Sequence, residues 1–183
     1  MTVIASGLKT PRWVVAAPDG SIYVSAHRLE GADGPDASEG RVIVLIPTTG
    51  APRVVATDIR HLEGLQYLDG VVVAATRGLQ GGQESAGALL RYAVLNDGSL
   101  GAAQLWIDTG LKQPMALGVD TLSSVYVSSK ELVPPIDGAK RAIGKAHPDG
   151  RLTGFAASLE DPQGLAFAAN GALYAATANR VAC

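Results

Sequence analysis

Three observations predict an all-β protein, and within that class a β-propeller of four-stranded antiparallel blades with about three complete blades and a split or truncated fourth. The first is a recurring pair of short strands. In Asp161-Pro-Gln-Gly-Leu-Ala-Phe-Ala-Ala-Asn-Gly-Ala-Leu-Tyr-Ala-Ala-Thr177, two apolar runs, 164–168 and 172–177, flank Asn170-Gly171. Asn-Gly between apolar runs marks a tight hairpin, because both residues tolerate positive φ. The same pattern stands at 10–26, 61–76 and 113–129. The spacing is roughly fifty residues, a period that marks propellers and arrays. The second observation is a further pair of strand-length runs between copies, so that each full unit holds four strands, A to D. The third is that no segment has helical periodicity; 111–120 lacks it, and the apolar runs are short and β-branched. An ordinary β-sandwich also has many short strands. It does not explain why one strand pair recurs in fixed order with the same turn marks.

The elements follow in order. Residues 2–8 read as an isolated outer strand preceding the first A strand, belonging to a blade completed by the chain end or by missing sequence. The blades run about 10–59, 61–109, 113–158 and 162–183. Outer strands C and D are expected at 40–46 and 52–57, at 88–94 and 103–108, and at 142–146 and 152–157. The last unit supplies A and B, and 179–183 reads as the start of a C strand. Two arrangements compete for the ends: a closed four-bladed ring, which would remove costly sheet edges, or a fragment of a larger, six-bladed propeller. The fragment is the expectation, because 40–46 shows what a full C strand looks like in this chain and 179–183 matches only its beginning.

Composition agrees with this reading and narrows the function. Charged residues make up 17% and hydrophobic residues 47%, with 22 glycines and 10 prolines, the profile of a turn-rich globular chain. A formal net charge of −2 offers nothing to nucleic acid or an anionic membrane. No apolar run is long enough to cross a bilayer, and residues 1–7 lack the features of a signal peptide. A soluble chain is expected, with its compartment unassigned. The single cysteine, Cys183, makes an internal disulfide impossible and is read as inert.

In a propeller the innermost strand, A, starts at one face and B returns to it. The start of every A strand and the loop after every B strand therefore share a mouth. Arg12, Glu63, Met115 and Gln163 stand at the A-strand starts. The loops after B, 27–39, 77–87 and 130–141, are long and polar, while the A–B turns on the opposite face are minimal; long connections in compact domains are usually functional or disordered. The first residues after B are often basic. Arg12, Arg28, Arg77, Lys130, Gln163, Asn179 and Arg180 are the expected ligand-binding residues, and they suit a carboxylate, phosphate or polyhydroxylated acid. Glu63 and His27 are the catalytic candidates, His27 as a general base. Glu63, with Gln163 and Asn179 nearby, could supply part of a metal site, although a calcium ion wants several converging oxygens. Asp33, Asp36, Glu39, Glu84 and Glu131 are the other carboxylates near the mouth; 33–39 lacks calcium-loop spacing. The histidines His27, His61 and His147 show no zinc spacing. His61 is expected on the mouth face and His147 on the far one. No nucleophile elbow or phosphate loop occurs. Tyr23, Tyr126 and Tyr174 sit in B strands and, with Trp13 and Trp106, are expected as inter-blade core.

The Pro-x-Gly-Leu-Ala-Phe … Asn-Gly-x-Leu-Tyr-Ala pattern of 162–175 resembles the NHL-type six-bladed propellers. The stretch Gly87-Ala-Leu-Leu-Arg-Tyr-Ala-Val-Leu-Asn-Asp-Gly-Ser-Leu-Gly-Ala, followed by Gln113-Pro-Met-Ala-Leu-Gly-Val-Asp120, is similar to the gluconolactonase (senescence-marker-protein) family. The layout is also similar to the sorbosone-type sugar dehydrogenases. These resemblances imply three functions. One is a propeller binding a small sugar-acid or lactone-like ligand, with lactone hydrolysis using Ca2+ or another divalent cation. The second is sugar oxidation with pyrroloquinoline quinone. The third is a non-catalytic interaction propeller with a protein partner. The lactonase family places a metal-binding Asp after the Pro of its Pro-Asp-Gly; here that position is Met115, which cannot bind a hard cation, and the family's Glu in the first blade is not evident near Pro11.

Overall fold

Each repeat folds as one antiparallel sheet in the computed structural model, which describes residues 2–31, 40–78, 86–134, 141–178 and 180–183. A short strand β1 (Leu8–Lys9) precedes the first blade. That blade holds β2 (Trp13–Ala16), β3 (Ile22–Ala26), β5 (Gly40–Ile46) and β6 (Arg53–Arg60), with β4 (Arg28–Leu29) between its second and third strands. The second blade is β7 (Leu65–Leu68), β8 (Val71–Thr76), β9 (Ala88–Ala93) and β10 (Gln104–Ile107). The third is β11 (Leu111–Val119), β12 (Val125–Leu132), β13 (Ala142–Ala146) and β14 (Leu152–Ala157), and a three-stranded fourth is β15 (Gly164–Phe167), β16 (Leu173–Ala176) and β17 (Val181–Ala182). Strand order within every blade is the order of the sequence. The molecule is all-β, four antiparallel sheets arranged as propeller blades. Among the described residues there is no helix, so none long and apolar enough to cross a membrane.

The core lies between blades, for a reason visible in the strands. Successive residues of a strand face opposite sides, and a blade has a neighbour on each side, so its B strand must be apolar on both. In β8, Val72 and Ala74 pack with Tyr23, Ile43 and Leu45 of the first blade, whereas Val73 and Ala75 pack with Leu117, Val125 and Val127 of the third. Leu65 and Leu117, at matching positions of β7 and β11, are fully buried, each contributing about 2 kcal/mol by removal from water. Val14 of β2 is their counterpart and is 64% exposed, since no described strand packs on that side of it. The tyrosines follow the same rule. Tyr23 and Tyr126 are buried, while Tyr174, in the last blade, is partly open. The Tyr23 hydroxyl donates to the Gly98 carbonyl of the second blade at 2.8 Å, and burial, then the Asp19 carboxylate, pushes its pKa up to about 12. Trp106 donates its Nε1–H to the His147 carbonyl at 3.0 Å and lies under the Arg91 guanidinium, 3.4 Å from the ring centre.

Two details differ from expectation. The strand anticipated over 2–8 is confined to Leu8–Lys9, and it pairs with β4 inside the first blade's own B–C connection. The Asn170-Gly171 turn does not place both residues at positive φ. Gly171 alone does so (φ 84), and its N–H bonds the Ala168 carbonyl, the geometry of a type I turn closed by a left-handed glycine. Only the second blade, whose A–B loop is a residue shorter, has both turn residues left-handed, Asp69 (φ 46) and Gly70 (φ 80). Loop length, not the dipeptide, selects the turn.

Candidate functional site

The inner strand of every blade is entered through a residue in the left-handed region, and none of these is glycine: Thr10 (φ 48), His61 (φ 46), Gln113 (φ 50) and Asp161 (φ 51). Such a backbone costs on the order of 1 kcal/mol or more and persists only where surrounding contacts hold it. In the second and third blades, hydroxyls on the B strands do the holding; in the first and fourth, backbone bonds from His27 to Lys9 and from Ala178 to Glu160 do so. Thr76 Oγ1 donates to the Arg60 carbonyl, one residue before His61, and accepts the Gly78 N–H at 3.1 Å. Ser129, its counterpart in the third blade, donates to the Lys112 carbonyl at 2.7 Å, one residue before Gln113, and accepts the Lys112 N–H at 3.1 Å. Backbone bonds from Arg77 N–H to the Arg60 carbonyl and from Arg60 N–H to the Gly78 carbonyl complete the clamp. A second tier lies one residue earlier in the B strand. Ser25 Oγ accepts the Trp13 N–H at 3.0 Å and donates to the Glu63 carbonyl at 3.2 Å, tying the first inner strand to the second. Ser128 likewise accepts the Ala116 N–H at 2.9 Å.

These clamps assemble an open cleft of about 230 Å³ lined by Arg12, His61, Glu63, Arg77, Gln113, Pro114 and Met115. Three consecutive inner-strand starts and one residue after a B strand meet there. A bulge opposes Met115 and Ala116 to the single Ser128, which turns Met115 toward the cleft. Gly64 allows the blades to approach: a Cβ built on it would lie 2.4 Å from the Met115 carbonyl oxygen.

Glu63 is the electrostatic centre. Its Oε1 lies 3.1 Å from Arg41 Nη1, and its Oε2 lies 3.6 Å from Arg12 Nη1. Arg41 comes from the start of β5 and is buried, 9% exposed, with Nη1 also donating to the Leu62 carbonyl at 2.7 Å. Burial pulls the Arg41 pKa down, and Glu63 opposes the shift by favouring the charged form.

The structure brings Arg12, Glu63 and Arg77 of the expected residues into one cleft. His27 is exposed and off the cleft lining, and His61 lines it instead. Arg28 belongs to β4, where it pairs with Lys9. Lys130 is exposed on β12, next to the Lys112–Glu131 ion pair of 2.9 Å. Gln163 is exposed and donates to Asp161 Oδ2 at 2.9 Å. Arg180 is exposed at the end of the last blade, its carbonyl accepting the Thr177 hydroxyl at 3.0 Å. Asn179, Asp33, Asp36, Glu39 and Glu84 lie outside the described residues. Arg41 was not foreseen. It is the second residue of an apolar strand, and a charge in that place is the one signal that could have marked it. The described residues do not fit a hard cation. Both Glu63 oxygens face arginines, Met115 offers no oxygen ligand, and no group of three or more His, Cys, Asp or Glu is placed to hold a metal. Nor do they fit pyrroloquinoline quinone well, since no Trp, Tyr or Phe lines the cleft to stack on a flat ring system.

No family model and no curated protein matches the sequence. Solved structures do match. A gluconolactonase from Xanthomonas campestris aligns with a TM-score of 0.67 and 17% identity over 92% of this chain and 54% of that one. A glucose dehydrogenase aligns with a TM-score of 0.66 and 12% identity over 95% and 59%. The fold is that of these propellers. A chain of the nidogen–laminin complex shares it as well, at a TM-score of 0.57 and 18% identity over 76% and 51%. The chain thus spans a little over half the length of these structures, and at such identities the likeness carries architecture alone.

Proposed function

We propose that the mouth cleft binds a small anionic ligand of the sugar-acid or lactone-like class. The observation supporting this is the convergence of Arg12, Arg77 and His61, from three different segments, on one open cleft whose only described carboxylate, Glu63, is itself shared between two guanidiniums. Guanidiniums are suited to planar oxyanions, and a neutral amide, Gln113, is at hand for a hydroxyl or ring oxygen. Turnover of a lactone is the reaction that the shared fold with a gluconolactonase suggests. The engagement of Glu63 in ion pairs favours, as a second reading, a propeller that binds without catalysing. Neither reading calls on nucleic acid or membrane.

A panel of sugar acids tests the proposal by thermal shift. A ligand present at a hundredfold excess over its Kd should raise the Tm by roughly 5–10 °C in a chain of this size, and Arg12→Gln, binding about tenfold more weakly, should cut the rise to about half. No shift with any member of the panel, or shifts equal in wild type and Arg12→Gln, would remove the proposal. A lactone pH-stat assay then separates hydrolysis from binding.

A further inference from the structure

We infer that Glu63 is a resident counter-ion occupying the seat of the ligand anion, and that an oxyanion enters the cleft by displacing it from Arg12. The inference rests on the anion-binding reading above and deepens it. Three features lead to it. The two ion pairs of Glu63 are unequal: the contact to Arg41 is 3.1 Å and that to Arg12 is 3.6 Å, beyond hydrogen-bond length. The partners are unequal too. Arg41 is enclosed and tied to the Leu62 carbonyl, whereas the Arg12 side chain is 50% exposed. A buried guanidinium needs a permanent anion, and among the described residues Glu63 is the one that Arg41 meets. Arg12, facing solvent, loses little on exchanging partners.

The arrangement therefore divides labour within one carboxylate. Oε1 stays with Arg41 and keeps the inner end of the cleft neutral. Oε2 holds Arg12 in place in the absence of ligand and yields to a stronger or bidentate acceptor. Glu63 acts on the ligand through Arg12, as a positioning residue, and its charge opposes the very anion the cleft receives. This sets a direction that a base or a metal ligand would not: weakening Glu63 should strengthen binding.

Calorimetric titration of inorganic phosphate into wild type, Glu63→Gln, Glu63→Asp and Arg12→Gln tests this, with each variant first confirmed as folded by circular dichroism. Glu63→Asp retains a charge for Arg41 while drawing back from Arg12, and so guards against loss of fold in Glu63→Gln. Glu63→Gln is expected to bind phosphate about fivefold more tightly than wild type, from loss of one competing ion pair and of like-charge repulsion, and Glu63→Asp about twofold more tightly, from loss of the competing ion pair alone. Arg12→Gln is expected to bind about tenfold more weakly, and to cancel the gain when combined with Glu63→Gln. Weaker binding in Arg12→Gln with no gain in either Glu63 variant would overturn the counter-ion role and leave the anion site standing. Absence of binding in wild type and in both Glu63 variants would overturn the two together. Binding that emerges only in the Glu63 variants supports displacement.

Discussion

The two ends of the blades are built from the same repeats and held in opposite ways. At the far end, the turns are built on local bonds, with Tyr23, Arg53 and Trp106 reaching in to the Gly98, Asp97 and His147 carbonyls. The carboxylates of Asp19, Asp97, Asp120 and Asp149 and the amide oxygen of Asn170 each accept the N–H two residues on, at 2.8 to 3.1 Å. At the mouth, the connections rely on side chains from elsewhere in the chain. Thr76 reaches Arg60, Ser129 reaches Lys112, Ser25 reaches Glu63 and Arg41 reaches Leu62. Local turns can be remodelled one at a time, whereas the mouth stands as a network. Such a network can hold strained backbone and a buried charge in place, which a binding site requires.

The largest effect expected from this contrast is at Arg41. Arg41→Met should destabilise by roughly 3 kcal/mol, leaving Glu63 and the Leu62 carbonyl without their partner; urea unfolding measures it, and a loss below about 1 kcal/mol would mean the ion pair is dispensable. Gly64→Ala comes next, at about 2 kcal/mol, since the added methyl meets backbone and not a flexible side chain. Thr76→Val should cost about 1.5 kcal/mol for its buried hydroxyl bonds. It should also weaken phosphate binding, because His61 and Arg77 are placed through it. A Thr76→Val variant that loses stability but binds unchanged would break the link between clamp and cleft. Asp149→Ala, at the far end, should stay within about 0.5 kcal/mol. A cost there as large as that at Thr76 would erase the contrast between the ends.

The same contrast explains what the sequence disclosed. The far-end turns are local, so Asp69-Gly70 and Asn170-Gly171 announced the hairpins and, through their recurrence, the blades. The strands at 142–146 and 152–157 were placed to the residue because turn chemistry bounds them. The shared mouth face followed from topology, which put Arg12, Glu63 and Arg77 on one side before their contacts were known. Arg41 stayed hidden because nothing local distinguishes an arginine of an apolar strand that is buried against a carboxylate from one that faces water. The left-handed entries at Thr10, His61, Gln113 and Asp161 were equally silent, for they are imposed by long-range clamps, and Thr and Gln do not favour the conformation. His27 and His61 both lie at the mouth by topology, and only side-chain placement could choose between them.

The most direct test is a calorimetric titration of gluconate into wild type and Arg12→Gln at low salt. A saturable exothermic isotherm in wild type, weakened about tenfold by the substitution, is the predicted result. Equal affinities in the two proteins, or no binding heat in wild type, would contradict an anion site at the mouth.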